Sequence, residues 1–270
     1  MKYLLLGLAL ALSGCDLGQA SQEPAPPPAS QLELRGLPDD VRLVGVTVTQ
    51  DGKRYVLDQY SGLYELNGSN ATLVWNTTGL IALQLTDLVA IDADHFAVTA
   101  VNDGFLLDIR DHSLASYFCY LPPLQPQTEQ PISVSQALQQ QGVSVEQRTD
   151  SVAFNAVSQQ LFAQPRTLRL DTSAVAGSEL FVFGQGGGQP MQVFSLPEDF
   201  VAGGMTATTD GRLLLGAHNV LYEFLPDNQF VQVGELAPSV EITGMASVNG
   251  TLLVLDGAGK RLLTLQDGTL

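Results

Sequence analysis

The sequence predicts an all-β protein, a β-propeller of five four-stranded blades closed by a strand from its own N-terminal side. Three observations carry this. From residue 41 onward, short β-type runs alternate with Gly, Asn and Asp turns, and helix-period apolar stretches are nearly absent. The runs recur as a unit, with copies beginning at residues 45, 88, 151, 204 and 244. The fifth copy stops after three strands, at Leu265, and a strand able to complete it lies at Gln31–Gly36.

Taken in chain order, the first element is not part of the propeller. Lys2 precedes the apolar run Leu4–Leu12, which ends in Leu12-Ser13-Gly14-Cys15. That run is too short to span ~30 Å of hydrocarbon, which takes ~20 helical residues. The layout resembles a bacterial lipoprotein signal with its lipobox. The resemblance implies cleavage after residue 14, a diacylglyceryl group on the Cys15 thiol and acylation of the new amine with a chain such as palmitate. Several acyl chains anchor a protein far more firmly than one. The implied location is a bacterial cell membrane, facing the periplasm. Asp16 resembles the signal that retains lipoproteins on the inner membrane, with the outer membrane as the alternative. Residues 15–30, rich in Pro, Ala, Ser and Gln, cannot bury enough surface to fold and read as a tether.

The propeller occupies residues 31–270. The copies are GVTVTQDGKRYVLDQYSGLYELNGSNATLVW (45–75), LVAIDADHFAVTAVNDGFLLDIRDHSLASYF (88–118), a divergent third from SVAFN at 151 to MQVFSL at 196, GMTATTDGRLLLGAHNVLYEFLPDNQFVQVGEL (204–236) and GMASVNGTLLVLDGAGKRLLTL (244–265). Each reads as a four-stranded meander, the unit of a propeller blade. Joining Gln31–Gly36 to the last three strands removes a free sheet edge. The interval 122–149 is an insertion with one helical stretch, Ser133–Gln141; a degenerate sixth blade hidden there is the alternative.

The order Ser151-Val-Ala-Phe-Asn155 before Gln160-Leu-Phe162, with Asp-Gly and Asn-Gly turns opening the second strands, resembles the SdiA-regulated family of bacterial propellers and, more distantly, the NHL and SMP-30 types. That family tends to place an acidic residue and then Gly at the start of its first strands. Here the pairs are Asp87-Leu88 and Asp150-Ser151, so the glycine is missing in both.

Charge narrows the partners. Lys plus Arg total 12 and Asp plus Glu 28; losing Lys2 with the signal leaves 11 against 28, a balance of −17. Nucleic-acid phosphate and anionic headgroups repel such a body, so the membrane is met through the lipid, and cations, cationic ligands or basic proteins are the favoured partners. With Cys15 acylated, Cys119 is alone and no intramolecular disulfide can form. In Ser116-Tyr-Phe-Cys-Tyr-Leu121 it reads as a small core residue.

In a propeller the innermost strands begin on the face where the second strands end. The starts are Val44, Asp87, Asp150, Gly203 and Thr243; the second-strand ends are Asp58, Ala100, Pro165, Ala217 and Asp256. Asp58, Asp87, Asp150 and Asp256 therefore form a candidate ligand site at the channel mouth, with His218, Glu241, Asn102 and Asp103 nearby. Oxygen ligands suit Ca²⁺, with Asp87 and Asp150 as candidate metal ligands, or a cationic molecule; solvated turn carboxylates are the plainer alternative. Gly184–Gln189 lacks the Gly-Lys-Ser/Thr of a phosphate loop. His95, His112 and His218 lack ligand spacing, and no Gly-x-Ser-x-Gly elbow exists. Tyr55, Tyr64, Trp75, Phe105, Tyr222 and Phe224 read as packing between blades. These features favour a non-catalytic ligand- or protein-binding module. The alternatives are a Ca²⁺-dependent lactonase- or esterase-like hydrolase using the mouth carboxylates, and an envelope assembly scaffold.

Overall fold

The computed structural model describes residues 30–77, 84–101, 103–119, 133–184, 187–197, 199–225, 227 and 229–266. Cys15, Asp16, the signal and nearly all of the tether lie outside these residues, as does Asn102. The chain opens with β1 (Ser30–Glu33), and blade 1 follows as β2 (Leu43–Val48), β3 (Arg54–Asp58), β4 (Gly62–Asn67) and β5 (Asn70–Asn76). Blade 2 is β6 (Leu85–Ala90), β7 (His95–Ala100), β8 (Asp103–Asp108) and β9 (Ser113–Cys119). Helix α1 (Val134–Gln140) precedes blade 3: β10 (Val145–Asn155), β11 (Gln160–Arg169), β12 (Val175–Gly184) and β13 (Gly187–Leu196). Blade 4 is β14 (Gly204–Ala207), β15 (Leu213–Ala217), β16 (Val220–Phe224) and β17 (Phe230–Glu235). β18 (Ile242–Val248), β19 (Thr251–Asp256) and β20 (Arg261–Gln266) complete the order.

Each blade is an antiparallel meander, and blade 5 runs β1-β20-β19-β18, so the two ends of the described chain share one sheet. Ser30 to Glu33 pair with Thr264 to Arg261. The chain then crosses to blade 1: the Leu34 N–H donates to the Lys260 carbonyl at 2.9 Å, the Arg35 N–H to Ser69 at 2.8 Å, and the Arg35 carbonyl accepts from Ala71 at 2.8 Å. The strand expected at Gln31–Gly36 is thus a clasp between blades 5 and 1. The molecule is a five-bladed propeller. The described part of the 122–149 interval holds α1 and the start of β10, not a blade. α1 begins as its sequence dictates, with Ser133 and Gln136 forming a reciprocal capping box.

The core is five separate clusters, one in each gap between neighbouring blades. Val46 and Tyr64 meet Leu253 and Leu262 between blades 1 and 5. Tyr55 and Trp75 meet Phe96 and Val98 between blades 1 and 2, where the Tyr55 and Phe96 rings stand edge-to-face at 5.1 Å. Ala97 meets Phe181 between blades 2 and 3, Leu180 meets Met205 between blades 3 and 4, and Leu214 meets Val254 between blades 4 and 5. Period-2 alternation explains this: successive residues point to opposite faces, and both faces of every blade are covered.

The five innermost strands abut so closely around the axis that three of them, β2, β14 and β18, carry glycine at one level, Gly45, Gly204 and Gly244. A Cβ on Gly204 would lie 2.6 Å from the Gly244 backbone, and one on Gly244 would lie 2.7 Å from the Val46 nitrogen. Blade 3 differs in length. Its strands run 10 or 11 residues, several more than in any other blade, and its extra length rises past the start of the inner strands, where α1 packs on it.

Candidate functional site

The face on which the inner strands begin carries the predicted carboxylates; Asp58, Asp150 and Asp256 are engaged close to their own blades, Asp87 by its neighbour. Asp58, 2% exposed, ends β3 and accepts from the Ser61 N–H at 2.6 Å, the Tyr60 N–H at 3.2 Å, the Ser61 hydroxyl, and the Arg42 N–H at 2.5 Å. Asp256 does the same job in blade 5, accepting from the Gly259 N–H at 3.1 Å and the Glu241 N–H at 3.4 Å, with Arg261 Nε on it at 2.7 Å. Both cap the tight turn after the second strand and pin the backbone that leads into the inner strand.

Asp150 ends on Arg166, whose Nε and Nη2 donate to its two oxygens, the second at 2.8 Å. Burial raises the Asp150 pKa, and Arg166 offsets only part of the rise. His218 is 82% exposed and its Nδ1 lies 3.4 Å from Glu241 Oε1. Asp103 is exposed at the start of β8. The structure therefore brings His218, Glu241 and Asp256 into one neighbourhood and leaves Asp58 and Asp150 in their own.

Asp87 sits one position further along its strand than the repeat alignment places it. A β-bulge in β6 lies between Leu85 and Asp87, matching bulges at Leu43/Gly45, Thr149/Ser151 and Ile242/Gly244. The residue equivalent to Asp150 is thus Thr86, while Asp87 matches Gly45, Ser151, Gly204 and Gly244 in the layer where three of the five blades carry glycine. A one-residue change of register turns a side chain to the other face. Asp87 is 1% exposed; Oδ2 accepts from the Ser151 hydroxyl at 2.5 Å and the Val152 N–H at 3.0 Å, and Oδ1 from the Leu88 N–H at 2.8 Å. Burial drives its pKa well above the ordinary carboxylate range, against the pull of these donors.

Asp150 is bidentate to an arginine and Asp87 accepts from three donors of the ring itself, whereas Ca²⁺ takes six to eight oxygens. Among the described residues, no three His, Cys, Asp or Glu side chains converge as a metal-ligand set.

The open space lies at the opposite end. A cavity of about 380 Å³ opens on the face where the inner strands finish, with residues of β2, β6, β10, β14 and β18 all in its wall. Thr47 and Thr206 occupy matching places there. Thr47 Oγ1 accepts from the Ala90 N–H of the next blade at 2.8 Å, and Thr206 Oγ1 accepts from Ser247 N–H of its next blade at 3.0 Å. Accepting leaves each hydroxyl proton able to donate. Val48, Ile91, Phe154 and Met245 supply apolar wall, and Val157, 67% exposed, stands at the rim.

Among the described residues, Asp92 is the one charged side chain in that wall. Burial acts to raise its pKa, but the N–H groups of Asp94 and His95, each donating at 2.9 Å, and the His95 ring hold it below the usual value. His95 Nδ1 is 2.8 Å from Asp92 Oδ2, and its Nε2 is 3.4 Å from Asp108. The ring orients the carboxylate from behind. The sequence signal for this end was Thr47-Val-Thr49-Gln-Asp51-Gly52 repeated as Thr206-Ala-Thr208-Thr-Asp210-Gly211, where Thr49 and Thr208 each donate to the aspartate two residues on.

The architecture defines a β-propeller, a fold shared by enzymes and non-enzymes. No protein-family model matches the chain, and no curated protein matches it by sequence. Among solved structures it is similar to a catalytically inactive variant of virginiamycin B lyase from Staphylococcus aureus with quinupristin, at 13% identity and TM-score 0.50, covering 90% of this chain and 86% of that one. It is also similar to the gluconolactonase XC5397 from Xanthomonas campestris, at 11% identity and TM-score 0.48, covering 83% and 71%. A third similarity is to the extracellular domain of BT4673 from B. thetaiotaomicron, at 12% identity and TM-score 0.41, covering 84% of this chain but only 26% of that one.

Proposed function

We propose that the chain is a small-molecule-binding propeller of the bacterial cell envelope, with its ligand in the cavity at the end of the inner strands. The observation behind this reading is that all five blades converge on that one cavity, which combines apolar wall, two hydroxyls free to donate and a single oriented carboxylate. Concave sites of about 300–1,000 Å³ with a few fixed polar groups are where small ligands bind. The carboxylates of the opposite face support the propeller itself in this reading, through turns and blade contacts, and leave basic partners to the solvated acidic surface.

The test is to incubate the purified chain with small-molecule extract of bacterial cells, wash, and identify what it retains by mass spectrometry. Wild type and Asp58→Asn should retain the same compound, and Ala207→Trp, which fills the cavity, should lose it. Retention by Ala207→Trp would overturn the reading.

A second reading, catalysis at the same cavity, rests on the Asp92–His95 pair. A carboxylate held against an imidazole is a recurring acid–base unit. Turnover of the retained compound by wild type and not by Asp92→Asn would establish it; unchanged compound recovered from both would favour binding alone.

Anchoring is the other half of the proposal. Lipidation at Cys15, with Asp16 behind it favouring the inner membrane, would hold the propeller at the periplasmic surface. Cells fed an alkyne-tagged palmitate should label the wild-type chain, and Cys15→Ser should abolish the label and release the protein from the membrane fraction. Labelling that survives Cys15→Ser would overturn the anchor.

A further inference from the structure

Six buried side-chain polar atoms without a hydrogen-bond partner occur among the described residues, and five of them belong to blade 3. Four share one face of its extension: Gln147 Nε2, Thr149 Oγ1, Thr167 Oγ1 and Glu179 Oε2. Gln147 pairs directly with Thr167 and Thr167 with Gly177, while Thr149 and Glu179 each lie two residues further along on the same side. Thr149, Thr167 and Glu179 are 0%, 1% and 2% exposed.

α1 roofs this patch. The Val134 N–H donates to Glu179 Oε1 at 2.9 Å, and Gly177 leaves the room that Val134 fills, since a Cβ there would lie 2.9 Å from Val134 Cγ2. Ser133 and Ser135 are buried beside it, their hydroxyls 3.0 Å apart. The residues facing Glu179 from β10, β11 and α1 are uncharged. Burial, opposed only by the Val134 N–H, pushes the Glu179 pKa up to about 7, with no cation contributing.

Buried polar atoms are normally paired, so a cluster of unpaired ones implies a guest. Water could pair with all four, yet above about pH 7, where Glu179 is ionised, it would leave the carboxylate's charge uncompensated at low dielectric. We infer that this face of blade 3 binds a monovalent cation, sodium, potassium or ammonium, on Glu179 Oε2 and the Thr149 and Thr167 hydroxyl oxygens. One carboxylate among neutral oxygens balances one positive charge, whereas sites for Ca²⁺ gather several. Gln147 can turn its amide oxygen inward to add a donor. The chain's formal charge of −16 favours cation capture.

The experiment is thermal melting of the purified chain in sodium, potassium, ammonium or choline chloride at equal ionic strength near physiological salt. Choline is too large for the patch and controls for screening. At about pH 8 at least one small cation should raise Tm above choline by about 2 °C or more. At about pH 5 Glu179 carries a proton and the difference should vanish. Glu179→Gln should abolish it at both pH values. Identical melting in all four salts at about pH 8 would mean that ordered water only fills the patch, and a difference that persists at about pH 5 would place the ion elsewhere; either overturns the proposal. Should Glu179→Gln fail to fold, Thr167→Val serves instead: a reduced shift supports the site, and an unchanged one removes it.

Discussion

Asp87 carries a carboxylate into the tightest layer of the ring, where its counterparts are Gly45, Ser151, Gly204 and Gly244. At Gly204 and Gly244 the neighbouring backbone leaves no room for a Cβ, and at Gly45 the space is taken by the Asp87 and Leu88 side chains. Asp87 fits by reaching across to the Ser151 hydroxyl and Val152 N–H of blade 3, tying two inner strands together with a side chain instead of close backbone packing. It has no cationic partner there, so the neutral form is favoured. A carboxyl whose folded pKa lies above its unfolded value stabilises fully below the unfolded pKa and loses that contribution as pH rises through the folded one. Asp87, Asp150 and Glu179 all shift this way. Stability should therefore fall as pH rises from about 4 towards 7 and above, the reverse of ordinary acid denaturation. Urea midpoints at about pH 5 and pH 7.5 check this, in choline buffer so that no small cation competes. Asp87→Asn keeps an acceptor for the Ser151 and Val152 donors but cannot ionise, so it should narrow that gap. An equal gap in the variant, or a higher midpoint at the more alkaline pH, would refute the assignment.

Among elements, how well each could be read from the sequence depended on whether its signal was local. Turns such as Asp51-Gly52 and Asn249-Gly250, with alternating apolar residues on either side, specify a meander through backbone chemistry alone. The blades, the helix after Ser133 and the closing strand could therefore all be read. The second-strand ends Asp58, Ala100, Pro165, Ala217 and Asp256 also align in the structure as the repeat implied, since each strand is counted from its turn. Inner strands of blades 1, 2, 3 and 5 share one bulge, and Gly45 and Gly244 mark the position after it, with Gly204 their counterpart in blade 4. In blade 2 Asp87 itself replaces that glycine, which is why the repeat alignment sets it one place too early. Blade 3's extension was hidden because residues 166–178 read as surplus length; their pairing depends on α1 covering the polar face, a contact distant in sequence. The cavity was hidden for a related reason. Thr47 and Thr206 look like ordinary β-formers, and only the ring places their hydroxyls around one space.

For the whole molecule, the ring is only as firm as its clasp. All five gaps between blades are crossed by the continuous chain; the joint held by hydrogen bonds and packing alone lies inside blade 5, where β1 pairs with β20 before the chain leads on into blade 1. Leu34 lies next to that joint, 8% exposed, packed in the cluster that joins blades 5 and 1 and donating its N–H to Lys260. Leu34→Ala should cost about 2–4 kcal/mol, as large-to-small core changes do. Its more telling effect is spatial. If closure is what couples the ends, amide exchange should speed up first in β20 and β5, on either side of the clasp, while β10 and β11 across the ring keep their protection. Leu161→Ala, of the same chemistry in the gap between blades 2 and 3, should reverse that order. Hydrogen exchange read by mass spectrometry separates these patterns; equal acceleration of all blades by both variants would mean that the ring opens as one unit, with no special role for the clasp. The point bears on the proposed anchor as well. A tether from Cys15 would join the chain at Ser30, so any pull from the membrane would enter through β1 and load its pairing with β20 before the cavity walls.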